Sequence, residues 1–258
     1  MGKRNFKYIY GPVASWRLGR SLGIDPLSGK GKVCSFDCVY CQLGETQFLS
    51  DERKSFVPAA AIIDEIAVLP ASEIDYLTFS GIGEPTLAKN LGEIIRAVRK
   101  IRKEKIAVLT NSSLMDAEDV RQDLLLSDLV VAKLDAPSQG IFERVNKPIK
   151  GKRIEDIVGS LKEFKDRHAG RLALQIMFIE QNRGCADEMA RIAREIGPDE
   201  VQINTPLRPC RVKPLSRQEM AGIKRSFEGL NVLSVYEAET IKVEPVSRED
   251  TLKRRGKI

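Results

Sequence analysis

Cys34-Ser35-Phe36-Asp37-Cys38-Val39-Tyr40-Cys41 sets three thiols at spacings of four and three residues and offers no fourth. A structural zinc site closes on four ligands, whereas a centre that does chemistry keeps one position open for water, substrate or cofactor. Gly29 and Gly31 before the triplet and Gly44 after it mark a flexible loop able to wrap three corners of a cubane iron-sulfur cluster. Two other readings fit the same spacing. Positions 34, 38 and 41 would share one face of a helix, which allows three core cysteines, and Cys185 or Cys210 could complete a zinc site.

Composition narrows the setting. With 258 residues, 42% hydrophobic and 30% charged, the chain has material for one large α/β domain. No apolar run reaches the length of a membrane span, and the opening Met-Gly-Lys-Arg-Asn-Phe lacks the apolar segment of a signal peptide. A cytoplasmic protein with no membrane association is expected, a compartment where clustered thiols bind metal more often than they form disulfides. A net charge of +6 and the closing Lys253-Arg254-Arg255-Gly256-Lys257 favour polyanionic partners, tRNA included; a solvated basic surface is the plainer alternative.

Outward from the cysteines, apolar runs of strand length alternate with longer amphipathic stretches, the pattern of repeated β/α units. Strands are expected at 18–24, 76–80, 106–110, 129–134, 172–179 and 200–204. Helices are expected at 59–69, 87–103, 116–126, 154–167, 186–196 and 216–227, with an added strand at 231–235. Six units fall short of a closed eight-unit barrel, so the fold class is α/β with an incomplete (β/α)6 barrel, its functional groups at the carboxyl ends of the strands. A flat doubly wound sheet is the alternative. Residues 1–17 read as an N-terminal extension, 18–214 as the core, and 215–258 as a helix, a strand and a basic tail packed on it.

Ser80-Gly81-Ile82-Gly83-Glu84-Pro85-Thr86 follows the second strand. Gly81 and Gly83 let the backbone approach a ligand closely, and Glu84 offers a negative partner for an ammonium group, although a plain glycine turn has the same pattern. Thr110, Asn111 and Ser112 end the third strand, Lys133 and Asp135 the fourth, and Asn204 and Thr205 the sixth, while Gln175 lies within the fifth. A ribose wants an acceptor for its hydroxyls and a carboxylate wants a cation, which suggests Asp135 or Asn111 for the first and Lys133 for the second or for substrate. Strand-end capping explains each of them equally well.

CxxxCxxC with an aromatic residue before its last cysteine, and Gly-Ile-Gly-Glu-Pro one unit later, together resemble the signatures of the radical S-adenosylmethionine (SAM) enzymes. The resemblance implies that Cys34, Cys38 and Cys41 hold a 4Fe-4S cluster and that Tyr40 lies against the adenine of SAM. It also implies that Gly81, Gly83 and Glu84 serve the methionine amino group. In such enzymes a one-electron donor, flavodoxin or ferredoxin, reduces the cluster, SAM is cleaved, and a 5′-deoxyadenosyl radical takes hydrogen from a substrate.

More narrowly, the opening from Tyr10 to Asp25, the long segment 135–148 and the stretch Thr205-Pro-Leu-Arg208-Pro-Cys210 resemble short relatives of the wybutosine (tRNA base) synthase branch. Archaeal-type synthases of that branch hold a second cluster through upstream cysteines, and none precedes Cys34 here. Modification of a protein or peptide is the competing function, since glycyl-radical activating enzymes are similarly short. A zinc-stabilised binding module is the non-enzymatic one. Cys185 and Cys210 read as small buried side chains rather than ligands, Cys210 being the better candidate for a thiol donor, and His168 is expected at the surface.

Overall fold

The computed structural model describes residues 6–255 except 30, 71, 239 and 240, so 1–5 at the opening and 256–258 of the basic tail lie outside it. Its main sheet has eight strands in the order β1-β2-β5-β6-β7-β8-β9-β10. These are β1 Ile9–Ser15, β2 Gly19–Ile24, β5 Tyr76–Phe79, β6 Lys105–Thr110, β7 Leu129–Lys133, β8 Arg171–Met177, β9 Glu200–Asn204 and β10 Val232–Ser234. All pairs from β2 to β10 are parallel, while β1 pairs antiparallel with β2. A two-stranded parallel ribbon, β3 Val33–Cys34 with β4 Phe48–Leu49, stands beside it.

Strand order that rises monotonically with sequence is what right-handed crossovers produce when every helix lies on one face. A doubly wound sheet reverses its order partway, so that alternative is excluded. The sheet curls into a half-barrel left open between β1 and β10. Around it run α1 Ala59–Ala67, α2 Leu91–Ile101, α3 Glu118–Leu124, α4 Gln139–Val145, α5 Ile154–Arg167, α6 Ala186–Ile196, α7 Arg217–Ser226 and α8 Arg248–Arg255.

The helices form where the apolar period is right. In α2, Leu91, Ile94, Ile95 and Val98 are buried at the i, i+3, i+4, i+7 spacing, with Arg99 and Lys100 in its last turn. Ser216 and Glu219 close a reciprocal capping box on α7. Strand alternation then sorts the sheet's two faces. Val130, Leu172, Leu174, Val201 and Ile203 join the helices in the main core, whereas Leu18, Ala107, Leu129, Val131 and Ala173 form a small apolar floor on the inner face.

Several elements were not expected, the β3–β4 ribbon among them. β1 occupies the stretch read as an extension; the ring of Tyr10 covers Gly23, where an added Cβ would fall 2.1 Å from it. α4 lies within 135–148, and α8 within the basic tail, where it docks on β1 through Phe6 N donating to Asp250 (2.9 Å) and Gly11 N donating to Thr251 Oγ1 (3.0 Å). At the start of the expected helix at 87–103, a separate turn of 3-10 helix, Pro85–Leu87, capped by Glu84, overlaps only at Leu87, and α2 itself begins at Leu91. His168 is a correction: it is buried, its Nε2 2.9 Å from Ser127 O and its ring against Phe164, because the C-terminus of α5 turns back under the β7 entry. Among the described residues no helix is long and apolar enough to cross a membrane.

Candidate active site

The cysteine loop is fastened to the end of β5 by backbone. Val33 N donates to Ile82 O (3.3 Å) and Glu84 N donates to Val33 O (3.0 Å). Gly83, at φ +137°, permits this: a Cβ there would lie 1.7 Å from Val33 O. At Gly81, φ +151°, a Cβ would meet the carboxyl of Asp25 at 2.2 Å. Both glycines therefore serve a close approach, and the chain they approach is the cysteine loop and the end of β2.

The loop's other flank is tied to the α4 segment. Val39 N donates to Val145 O (3.0 Å), Asp37 N to Asn146 O (3.1 Å) and Ile149 N to Ser35 O (2.8 Å). The 205–211 stretch joins from a third side, with Arg208 donating to Gln42 Oε1 (2.7 Å) and Arg211 ion-paired to Glu45. Both segments expected at the barrel mouth thus border the cysteines.

Cys34 is buried, and Cys38 and Cys41 are half-buried. Burial pushes the Cys34 thiol well up, reinforced by the negative charge of Glu84, and pushes Cys38 to about 11, reinforced by Asp135. Two amides point at sulfur: Asn111 Nδ2 lies 3.5 Å from Cys34 Sγ and Asn146 Nδ2 3.5 Å from Cys38 Sγ. Donors of this kind favour a thiolate over a thiol, so a cluster that deprotonates these cysteines on binding fits the residues present. Among the described residues no three His, Cys, Asp or Glu side chains are gathered closely enough to hold a single metal ion.

Glu84 is buried, and four donors fill its carboxylate. Thr86 N (3.1 Å), Thr86 Oγ1 (2.7 Å) and Thr110 Oγ1 (2.7 Å) reach Oε1, and Asn111 N (2.6 Å) reaches Oε2. Burial raises its pKa despite these bonds. The geometry makes Glu84 the clasp between the ends of β5 and β6.

Asp135 is buried with equal care. Its Oδ2 accepts from the Tyr40 hydroxyl and from Asn146 Nδ2 (2.8 Å), and its Oδ1 accepts from Met177 N (2.7 Å), with Lys133 Nζ at 3.3 Å. Lys133 also sits 5.0 Å above the Tyr40 ring. Tyr40, Lys133 and Asp135 therefore form one network beside Cys38. Asn146, which joins Cys38, Tyr40 and Asp135, carried no sequence signal beyond its place in a long loop. Cys210 is half-buried beside Tyr40 and Cys38, its Sγ donating to Val212 O (3.2 Å), while Cys185 packs on the main core at the foot of α6.

A three-cysteine loop clasped to a glycine-lined strand end, at the mouth of an open parallel half-barrel, is the architecture of enzymes that cleave SAM. The chain belongs to the radical SAM superfamily, which it matches over residues 30–204. Among its relatives is a UPF0026 protein of Synechocystis sp., 44% identical over 83% of this chain and 79% of that one. Similar folds occur in Streptococcus suis SuiB bound to precursor peptide SuiA (TM-score 0.62, 16% identity, 82% of this chain and 48% of that one) and in anSMEcpe with bound AdoMet (TM-score 0.63, 17% identity, 84% and 64%). This chain spans only about half to two thirds of those two proteins.

Proposed function

We propose that Cys34, Cys38 and Cys41 hold a 4Fe-4S cluster at the mouth of the half-barrel, with SAM laid across the ends of β5 to β8. The cluster and SAM together supply a one-electron cleavage that yields methionine and a 5′-deoxyadenosyl radical able to take hydrogen from a substrate. The observation that carries this reading is the Val33–Gly83 backbone clasp, which brings the cysteine loop to the strand ends. The chain's own residues then do the positioning. The carbonyls of the Gly81–Gly83 turn face the methionine amino group, Glu84 holds that turn rigid, and Lys133 offers its ammonium to a carboxylate of SAM or substrate. Asn111 and Asp135 stand behind the ribose, and Tyr40 borders the adenine.

A tRNA base is the substrate we favour. The net charge of +6 supports it. The likeness of the opening segment to wybutosine-branch relatives agrees. A peptide substrate is the second reading, favoured by the likeness of the fold to SuiB, which binds the precursor peptide SuiA. A flavodoxin or ferredoxin supplies the electron.

The test is anaerobic reconstitution with iron and sulfide, then chromatography for 5′-deoxyadenosine after adding SAM and dithionite. Product from the unaltered protein and none from Cys34→Ala, Cys38→Ala or Cys41→Ala supports the assignment; product from those variants refutes it. Salt-sensitive retention of tRNA supports the substrate, and salt-independent retention counts against it.

A further inference from the structure

A buried carboxylate lies beneath the Gly81–Ile82 peptide. Asp25, just past the end of β2, is 0% exposed, and donors from three parts of the chain converge on it. Leu27 N reaches Oδ1 (3.1 Å), while Ile82 N (3.3 Å), Ser28 Oγ (3.4 Å) and Arg254 Nε (3.3 Å) reach Oδ2. Gly81 has no side chain to hold the turn off this carboxylate, which is what lets Ile82 N approach it. Arg254 comes from α8 and is buried as well. Its other nitrogens donate to Ser28 Oγ (2.7 Å) and to the carbonyls of Lys7 and Asp250.

The bond to Ile82 fixes the direction of a carbonyl. The Gly81–Ile82 peptide is trans, so its C=O and N–H point to opposite sides. With the N–H turned to Asp25, Gly81 O faces away from the buried carboxylate. The neighbouring Ile82 O is engaged by Val33 N (3.3 Å), whereas among the described residues no hydrogen bond ends on Gly81 O. Gly81, Ile82 and Gly83 are only half-buried, so this oxygen stands in a turn that a ligand can reach.

We propose that Asp25 is a positioning residue for SAM: it orients the Gly81–Ile82 peptide so that Gly81 O is aimed at the methionine ammonium before SAM arrives, and Arg254 of α8 is the counter-ion that keeps Asp25 charged in the core. A peptide whose N–H is held by a carboxylate is polarised by it, which makes its carbonyl a better acceptor for a cation. Without the pair, Ile82 N has no carboxylate and Gly81 O is free to swing. A carboxylate buried with no partner is costly, so the arrangement needs the guanidinium that α8 supplies. The C-terminal helix thus belongs to the SAM site through one ion pair. The inference rests on the radical SAM reading above and adds how this chain prepares its SAM-binding turn.

The test measures binding rather than turnover, by equilibrium dialysis of reconstituted, oxidised holoprotein against SAM and against 5′-methylthioadenosine, which keeps the nucleoside and lacks the amino acid part. Asp25→Leu/Arg254→Met removes both charges together, so that neither is left buried alone. At unchanged iron content the double variant should bind SAM about tenfold more weakly, the worth of one hydrogen bond to a charged group, and should bind 5′-methylthioadenosine as the unaltered protein does. Arg254→Lys, which keeps a cation beside Asp25, should keep the affinity for SAM. Hydrogen exchange on the unaltered protein needs no variant: the Ile82 amide should be protected before SAM is added and no more protected afterwards. Unchanged SAM affinity in the double variant, equal weakening of both ligands, loss of SAM affinity in Arg254→Lys, or an Ile82 amide protected only once SAM is bound would each overturn the proposal. Failure of the unaltered protein to bind SAM at all would instead overturn the radical SAM reading, and this inference with it.

Discussion

Tyr40 donates its hydroxyl to Oδ2 of Asp135, tying the residue before the third cysteine to the carboxyl end of β7, 95 positions later. The bond orients the cysteine loop over the strand ends, and Asn146 closes the triangle by donating to both partners. Burial and the Asp135 charge push the Tyr40 phenol well above its ordinary pKa, so it stays a donor throughout the physiological range.

Tyr40→Phe should therefore lower stability by about 1.5–3 kcal/mol, the worth of a hydrogen bond to a charged group, as measured by urea unfolding. Asp135 retains Asn146 and Met177 N, so the fold persists. An unchanged urea midpoint would show that the bond carries no net free energy.

Arg254 holds the C-terminal helix to the core. Its Nε lies 3.3 Å from Asp25 Oδ2, with both side chains buried. Arg254→Ala should cost about 3–5 kcal/mol by leaving the Asp25 charge buried and unpaired, and adding Asp25→Asn should restore part of that loss. Burial raises the Asp25 pKa. A raised folded-state value means that the penalty is absent below the ordinary carboxylate range, where both states hold the proton, and sets in as pH climbs through the raised value. Stability of Arg254→Ala should fall over that interval, and the double variant should not show the fall.

His168 gives the opposite sign. Burial lowers its pKa from the ordinary 6.5. Between that value and the lowered one the unfolded chain binds a proton and the native state does not, so stability is full above about pH 6.5 and declines below it. His168→Gln should flatten the acid limb of a urea-midpoint profile between pH 7 and 5; a limb of unchanged slope would assign the titration to other groups.

How much of this was legible depended on how local each signal was. α5, α6 and β9 fall where the apolar period and flanking residues mark them, Gly197 at φ +66° closing α6. α4 was hidden because Pro137 and Gly140 read as loop and only Phe142 and Val145 bury. β1 is interrupted at Gly11 and Pro12, and α8 is almost wholly charged, held by Asp250 and Arg254 rather than by an apolar stripe. Cysteine spacing and the Gly-x-Gly-Glu turn were plain in the sequence. The roles of the glycines as clasps, of Glu84 as a staple and of Asn146 beside Cys38, 108 positions away, depend on contacts that spacing does not encode.

The central claim, that three cysteines present an open iron to SAM, is tested most directly by electron paramagnetic resonance of the anaerobically reconstituted, dithionite-reduced protein with and without SAM. The account predicts a reduced 4Fe-4S signal whose shape changes when SAM is added. Colourless protein carrying zinc, or a cluster signal indifferent to SAM, would contradict it.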